Sequence, residues 1–261
     1  MLFSVNFKKI RMLDKNEIRK KVSETRNKDL LILYALIPLK DDKDLFQRYE
    51  FIQKFLKESK QFKVKRKVSE EFACDIALRT LAINSKYKDP IRFALNMENK
   101  LIENIKIYLE EYTIDEIKVK IVIDECGKAF IACSKDGKEL NSVPGKYKKE
   151  EYIIELKRIV KKLKDQYNRI KKIIEKAIEE NTELYFKEIK DLINTPVANP
   201  ILKNLVFIKI KNTNTKENSR DVLGFFIDNG IVDFKGRIYP LCNEDKIRIA
   251  NIFDLCKSEV I

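Results

Sequence analysis

In the first half of the chain, apolar residues recur at three- and four-residue intervals, the period that gathers side chains on one face of a helix. One stripe runs Leu45, Tyr49, Ile52 and Phe55 with Leu56; a second runs Phe72, Ile76, Arg79 with Thr80, and Ile83. A third runs Ile91, Leu95, Ile102, Ile105 and Leu109. Each stripe predicts an amphipathic helix of a few turns. Pro90 follows Asp89 and can occupy the first turn of its helix, where its missing N–H costs nothing. All six glycines come after Cys126, so this half lacks the residues that most readily break helices. Short connections then predict antiparallel, HEAT-like helical hairpins.

Beyond residue 112 the period switches. Ile117, Val119, Ile121 and Ile123 alternate with Lys118, Lys120 and Val122, which predicts a strand with one buried face. Residues 124–128 turn the chain, 129–133 return as a second strand, and Asp136 with Gly137 turns it again. The longest helix is expected over 148–180, with a seam of Ile153, Leu156, Val160, Leu163, Tyr167, Ile170, Ile174 and Ile178. That seam predicts burial against helices of the same chain, in preference to an intermolecular coiled coil. A shorter helix over 183–193 stops before Pro196. Strands are expected at 205–210, 222–227, 231–234 and 238–241, with Asp228, Asn229 and Gly230 supplying a tight turn. The expected fold class is α+β, mainly helical: helical hairpins, a β-hairpin, one long helix and a C-terminal antiparallel meander. Two regions are expected, a helical-hairpin region at 1–112 and the remaining elements at 113–261.

Composition supports a folded chain, with 44% hydrophobic and 36% charged residues among 261. The one long apolar run, residues 30–39, falls short of the roughly 20 residues a membrane-crossing helix needs. Its charged flanks lack the features of a signal peptide, so a cytoplasmic protein is expected. Five cysteines, odd in number and never spaced as CxxC, fit structural thiols in a reducing compartment. The net charge of +13 suits nucleic acid, anionic lipid or an acidic protein as partner, or a surface that is merely solvated.

Several segments resemble, in order, the MolR-like domain of unknown function DUF4132, a domain often found beside WGR domains in large bacterial proteins. Residues 73–81, ACDIALRTL, are similar to its helical A-x-x-A-L-R-x-L segment. Gly137, Lys138, Glu139, Leu140, Asn141, Ser142, Val143 and Pro144 are similar to G-K-x-L-K-S-x-P, followed by a long helix. Asn199, Pro200, Ile201 and Leu202 are similar to H-P-L-L, and Leu205, Val206 and Phe207 to L-V-W. The resemblance spans about residues 55–255. Asn199 stands where the family has His, Phe207 where it has Trp, and Asn251 with Ile252 where it has His-Pro, so those histidines carry no role here. The chain stops before the family's C-terminal continuation and has no WGR segment, which makes a short or truncated member the expectation. The resemblance implies helical repeats with an attached β element and supplies no activity.

The absence of histidine removes Ser-His-Asp and Cys-His catalysis and HExxH zinc sites. No GxxxxGKS/T or GxGxxG loop is present to cradle phosphate. Asp124 and Glu125 are adjacent carboxylates that read as turn residues before they read as a catalytic pair. Asp221, Asp228 and Asp233 could gather round a hard cation, but solvated loop acids are the simpler reading. Cys126 and Cys133 could be cross-strand neighbours. No catalytic residue, cofactor or metal is therefore expected.

The remaining signal is electrostatic. Twelve Lys or Arg face five acids between Lys146 and Lys176. Arg158, Lys162, Arg169, Lys172 and Lys176 fall within about 40° of one line opposite the seam at 100° per residue. This ridge either solubilises the helix or contacts a polyanion, while Tyr147 and Tyr152 near its start either pack or stack on bases. The expected function is a non-enzymatic interaction or scaffold module, binding a protein or, weakly and without sequence preference, a nucleic acid. The alternative is a fragment of a larger enzyme or regulator that needs further chain or a partner.

Overall fold

The computed structural model describes residues 13–103, 105–210 and 222–257. Two compact units divide the chain, Met1–Met97 and Glu98–Ile261.

The first unit is helical. Helices α1 (Lys15–Thr25), α2 (Lys28–Leu36) and α3 (Asp42–Glu58) each begin behind a side chain that accepts a free N–H of the first turn. Asp14 accepts from Asn16, Asn27 from Leu30 and Asp41 from Asp44. Each such cap contributes about 1 kcal/mol. Helix α4 (Val64–Asn84) follows a 3-10 turn, and α5 (Pro90–Glu103) starts with Asp89 accepting from Ile91 and Arg92. The apolar run at 30–39 proves to be mostly α2, whose Leu31, Tyr34 and Ala35 are buried. Among the described residues, no helix is long and apolar enough to cross a membrane.

Two clusters of buried charge organise this unit. Arg48, 1% exposed, bonds both oxygens of Asp44 and donates to the carbonyls of Tyr34, Ile37 and Pro38, closing the C-terminal end of α2. Burial raises the Asp44 carboxyl, but hydrogen bonds led by those from Arg48 and Lys15 outweigh it and hold it at about 2. Glu70 on α4 accepts from Arg26 at 2.7 Å, Ser59 at 2.6 Å and Arg66 at 2.9 Å. Arg26 also lies 3.9 Å from the centre of the Phe55 ring.

These polar anchors set the rotation of α4, and they overturn the stripe expected for it. The buried face is Glu70, Ala73, Cys74, Ala77, Leu81 and Ala82, against α2 and α3. Asn84 shares that face and donates to the carbonyls of Ala35 and Ile37. Small side chains permit close approach of helices, and Glu70 must reach Arg26. Phe72 and Ile83 are left 66% and 72% exposed.

The second unit begins within α5. Strands β1 (Tyr112–Ile114), β2 (Ile117–Ile123), β3 (Ala129–Lys135) and β4 (Lys138–Leu140) form an antiparallel sheet in that order. The predicted alternation holds in β2, where Ile117, Val119 and Ile121 are buried. Cys126 and Cys133 are not cross-strand neighbours: Cys133 sits opposite Val119 and Leu140, while Cys126 is exposed in the β2–β3 turn. Asp124 makes that turn by accepting the N–H groups of Cys126 and Lys128.

Helix α6 (Glu151–Glu179) packs on β2 and β3. It starts three residues later than expected, because residues Gly145–Tyr147 form a 3-10 turn. Its 29 residues span about 44 Å at 1.5 Å per residue. The buried line is Ile153, Leu156, Ile159, Leu163, Gln166, Ile170, Ile174 and Ala177. Val160, Tyr167 and Ile178 of the expected seam flank it, half-buried.

A second sheet holds β5 (Leu184–Tyr185), β6 (Val206–Lys209), β7 (Val222–Ile227), β8 (Gly230–Val232), β9 (Ile238–Pro240) and β10 (Lys246–Ile249), ordered β5-β10-β6-β7-β8-β9. The expected meander β6 to β9 is present. Strand β10 was not anticipated; it inserts between β5 and β6, burying Ile247 and Ile249. Helix α7 (Phe186–Ile193) precedes a short α8 (Asn199–Leu202), and α9 (Ile252–Lys257) follows β10. Phe226 stacks on Phe186 and meets Phe207 edge-on, which centres the core beneath this sheet.

Candidate polyanion-contacting surface

The outer face of α6 carries a concentration of positive charge in the second unit. Lys157, Arg158, Lys161, Lys162 and Lys164 are all exposed, with no acidic residue between positions 157 and 164. Arg158 is 70% exposed and sits 3.2 Å from Glu155. Lys172 is exposed about one turn beyond Asn168. A helix buried along its opposite side spreads these cations over about 160° of its outer surface, with Arg158, Lys161, Lys162 and Lys172 within about 100° of one another.

The five residues expected to form one line fare differently. Arg158, Lys162 and Lys172 face solvent. Lys176 lies 3.8 Å from Glu180. Arg169 does not face solvent as expected; it is 26% exposed and grips the fully buried Glu98 through two bonds of 2.6 and 2.9 Å. Gln166 adds a 2.6 Å bond to the Glu98 carbonyl. A bidentate guanidinium–carboxylate pair of this kind orients both helices it joins. Glu98 went unnoticed in the sequence, since it lies 71 residues from Arg169 in an ordinary charged stretch of α5.

The ends of the surface are neutralised. Glu116 takes a bond from Lys135 at 2.7 Å and a further one from Lys146. Those two lysines hold the Glu116 carboxyl down to about 2, and Glu116 in turn raises both ammonium groups. Tyr147 is 3% exposed, and Tyr152 stacks on Tyr112 with ring centres 4.0 Å apart. Both tyrosines therefore pack within the unit.

Of the acids considered for a cation, Asp228 is exposed in the β7–β8 turn. Asp221 lies outside the described residues. Asp233 accepts the N–H groups of Lys235 and Arg237, the Arg237 guanidinium at 3.0 Å and the Tyr239 hydroxyl at 3.2 Å, which makes it the organiser of the β8–β9 turn. Among the described residues, no group of three or more Cys, Asp or Glu is placed to hold a metal ion.

A helical unit followed by a unit with two antiparallel sheets and one long helix defines an α+β protein, mainly helical. Residues 137–260 match DUF4132, a domain of unknown function, so the resemblance seen in the sequence holds over that stretch and not from about residue 55 as expected. Residues 12–97 match a second family of unknown function, DUF5724, and residues 73–81 fall within that match. No curated protein and no solved structure matches the chain. Residues at the quoted DUF4132 motifs serve the fold. Asn199 donates to the Ile193 carbonyl at 3.0 Å, and Phe207 is fully buried in β6.

Proposed function

We propose that the chain acts in the cytoplasm as a non-enzymatic interaction module that lays the exposed face of α6 along a polyanion, a nucleic-acid backbone. The observation that carries this reading is the set Arg158, Lys161, Lys162 and Lys172, exposed within an arc of about 100° on one long helix. Side chains so placed meet phosphates without reaching base edges, so binding is weak and indifferent to sequence. Arg169 and Lys176 add to the field along the same line, with their charges partly offset by Glu98 and Glu180. The free thiols of Cys126, Cys242 and Cys256, all exposed, fit a reducing compartment.

Fluorescence anisotropy with a labelled duplex across a salt series tests the proposal. About four phosphate contacts give a log–log slope of about −3.6, and Lys162→Glu with Lys172→Glu removes about two units of it. Arg169 is left intact in this design, since its loss would disturb the fold. Absence of binding at low salt, or binding unmoved by the double variant, would refute the nucleic-acid reading and leave an acidic protein as the partner to seek.

A further inference from the structure

Helix α4 buries its small-residue face and turns an apolar one outward. Val64, Val68, Phe72 and Ile83 are 76%, 56%, 66% and 72% exposed, with Ile76 half-buried among them. At 100° per residue these five occupy an arc of about 120° centred opposite Ala77. A surface helix ordinarily presents polar residues there. Asp75 and Arg79 lie inside the same arc, joined by a 2.8 Å ion pair.

We infer that this face of α4 is a self-association surface, paired antiparallel with α4 of a second copy of the chain. The charge pattern selects the occupant and its direction. A two-fold axis beside residue 77 sets Asp75 against Arg79 of the partner subunit, and by symmetry Arg79 against Asp75 of the partner subunit. The same axis brings Phe72 to within one residue, about 1.5 Å along the helix, of Ile83 of the partner subunit, so ring and aliphatic chain can cover one another at both places. Parallel pairing would instead oppose like charges at positions 75 and 79. A lipid surface fits less well, because Glu71 and Asp75 lie along the apolar arc and would enter the headgroup region with it. A single helix face is smaller than the roughly 800 Å² per partner of a standard interface, which makes the dimer weak and dependent on concentration.

Sedimentation velocity of the full chain over a concentration series reads the association. Asp75→Arg alone and Arg79→Asp alone each place like charges across the axis and weaken the dimer about tenfold or more. The double variant Asp75→Arg with Arg79→Asp restores it, and an equimolar mixture of the two single variants forms a heterodimer. Circular dichroism confirms that each variant stays folded, as expected for exposed positions. A chain that is monomeric at every concentration, or a dimer indifferent to both reversals, overturns the inference. So does binding to anionic vesicles that Phe72→Ser abolishes in a chain that remains monomeric, since the face would then belong to lipid.

Discussion

Replacing Glu70 by Gln isolates the contribution of one buried carboxylate to the stability of the helical unit. The Glu70 side chain is 3% exposed. Its burial pushes the carboxyl up, but the bonds from Arg26, Ser59 and Arg66 prevail and bring it from 4.5 to about 2. A folded-state value below the unfolded one stabilises the fold above the unfolded pKa, and that stability drains away as pH falls through the folded pKa. A depression of about 2.5 units corresponds to about 3.4 kcal/mol at pH 7. By the same linkage about 1.4 kcal/mol survives at pH 3 and under about 0.5 at pH 2. Glutamine keeps the shape and some hydrogen bonding but cannot carry the charge. The stability gap between wild type and Glu70→Gln should therefore be about 3 kcal/mol at neutral pH and close to nil near pH 2. Comparing the two chains at each pH cancels the parallel titration of Asp44, which is held at about 2 in the same unit. The chain has no Trp, so urea unfolding is best followed by far-UV circular dichroism, with two transitions fitted for two units. A gap that stays constant from pH 7 to pH 2.5, or one below about 0.5 kcal/mol at pH 7, would refute the claim that the bonds to Glu70 dominate its desolvation.

Three further outcomes test the second unit. Leu163→Ala should cost about 2 to 5 kcal/mol in urea, since the side chain is 2% exposed and leaves a cavity, while the exposed neighbour Lys162→Ala stays within about 0.5 kcal/mol. Arg169→Ala should resemble the former, because it withdraws two charge-assisted bonds from a fully buried carboxylate. Gly127→Ala should cost more than Gly137→Ala. Both glycines have positive φ, +77° and +76°, but a Cβ at 127 would sit 2.1 Å from the Tyr167 ring, whereas nothing lies within 4 Å at 137. Equal melting temperatures for the two glycine variants would show that the β2–β3 turn does not press on α6.

Local periodicity alone determined much of this chain. The alternation through β2, the turn residues around β7 and β8, and five positions of the buried line of α6 (Ile153, Leu156, Leu163, Ile170 and Ile174) follow from side-chain spacing, because each element is long enough to show its period and buries only one face. The 137–144 motif likewise lies at the start of the DUF4132 match, although the resemblance drawn from the sequence was placed from about residue 55.

What spacing cannot decide is which of two faces a helix buries, or which distant residue completes a polar pair. On α4 both Phe72 with Ile83 and Ala73 with Ala77 satisfy a helical period; the choice fell to the second set because Glu70 had to meet Arg26, 44 residues earlier. Arg169 read as one more cation on a ridge until Glu98 arrived from α5 beside it. Strand β10 offers only Ile247 and Ile249 as apolar alternation, too short to stand out, and becomes a strand by filling the place between β5 and β6. In each case a long-range hydrogen bond or ion pair selected among locally equivalent arrangements, and such bonds exist only once the chain has folded.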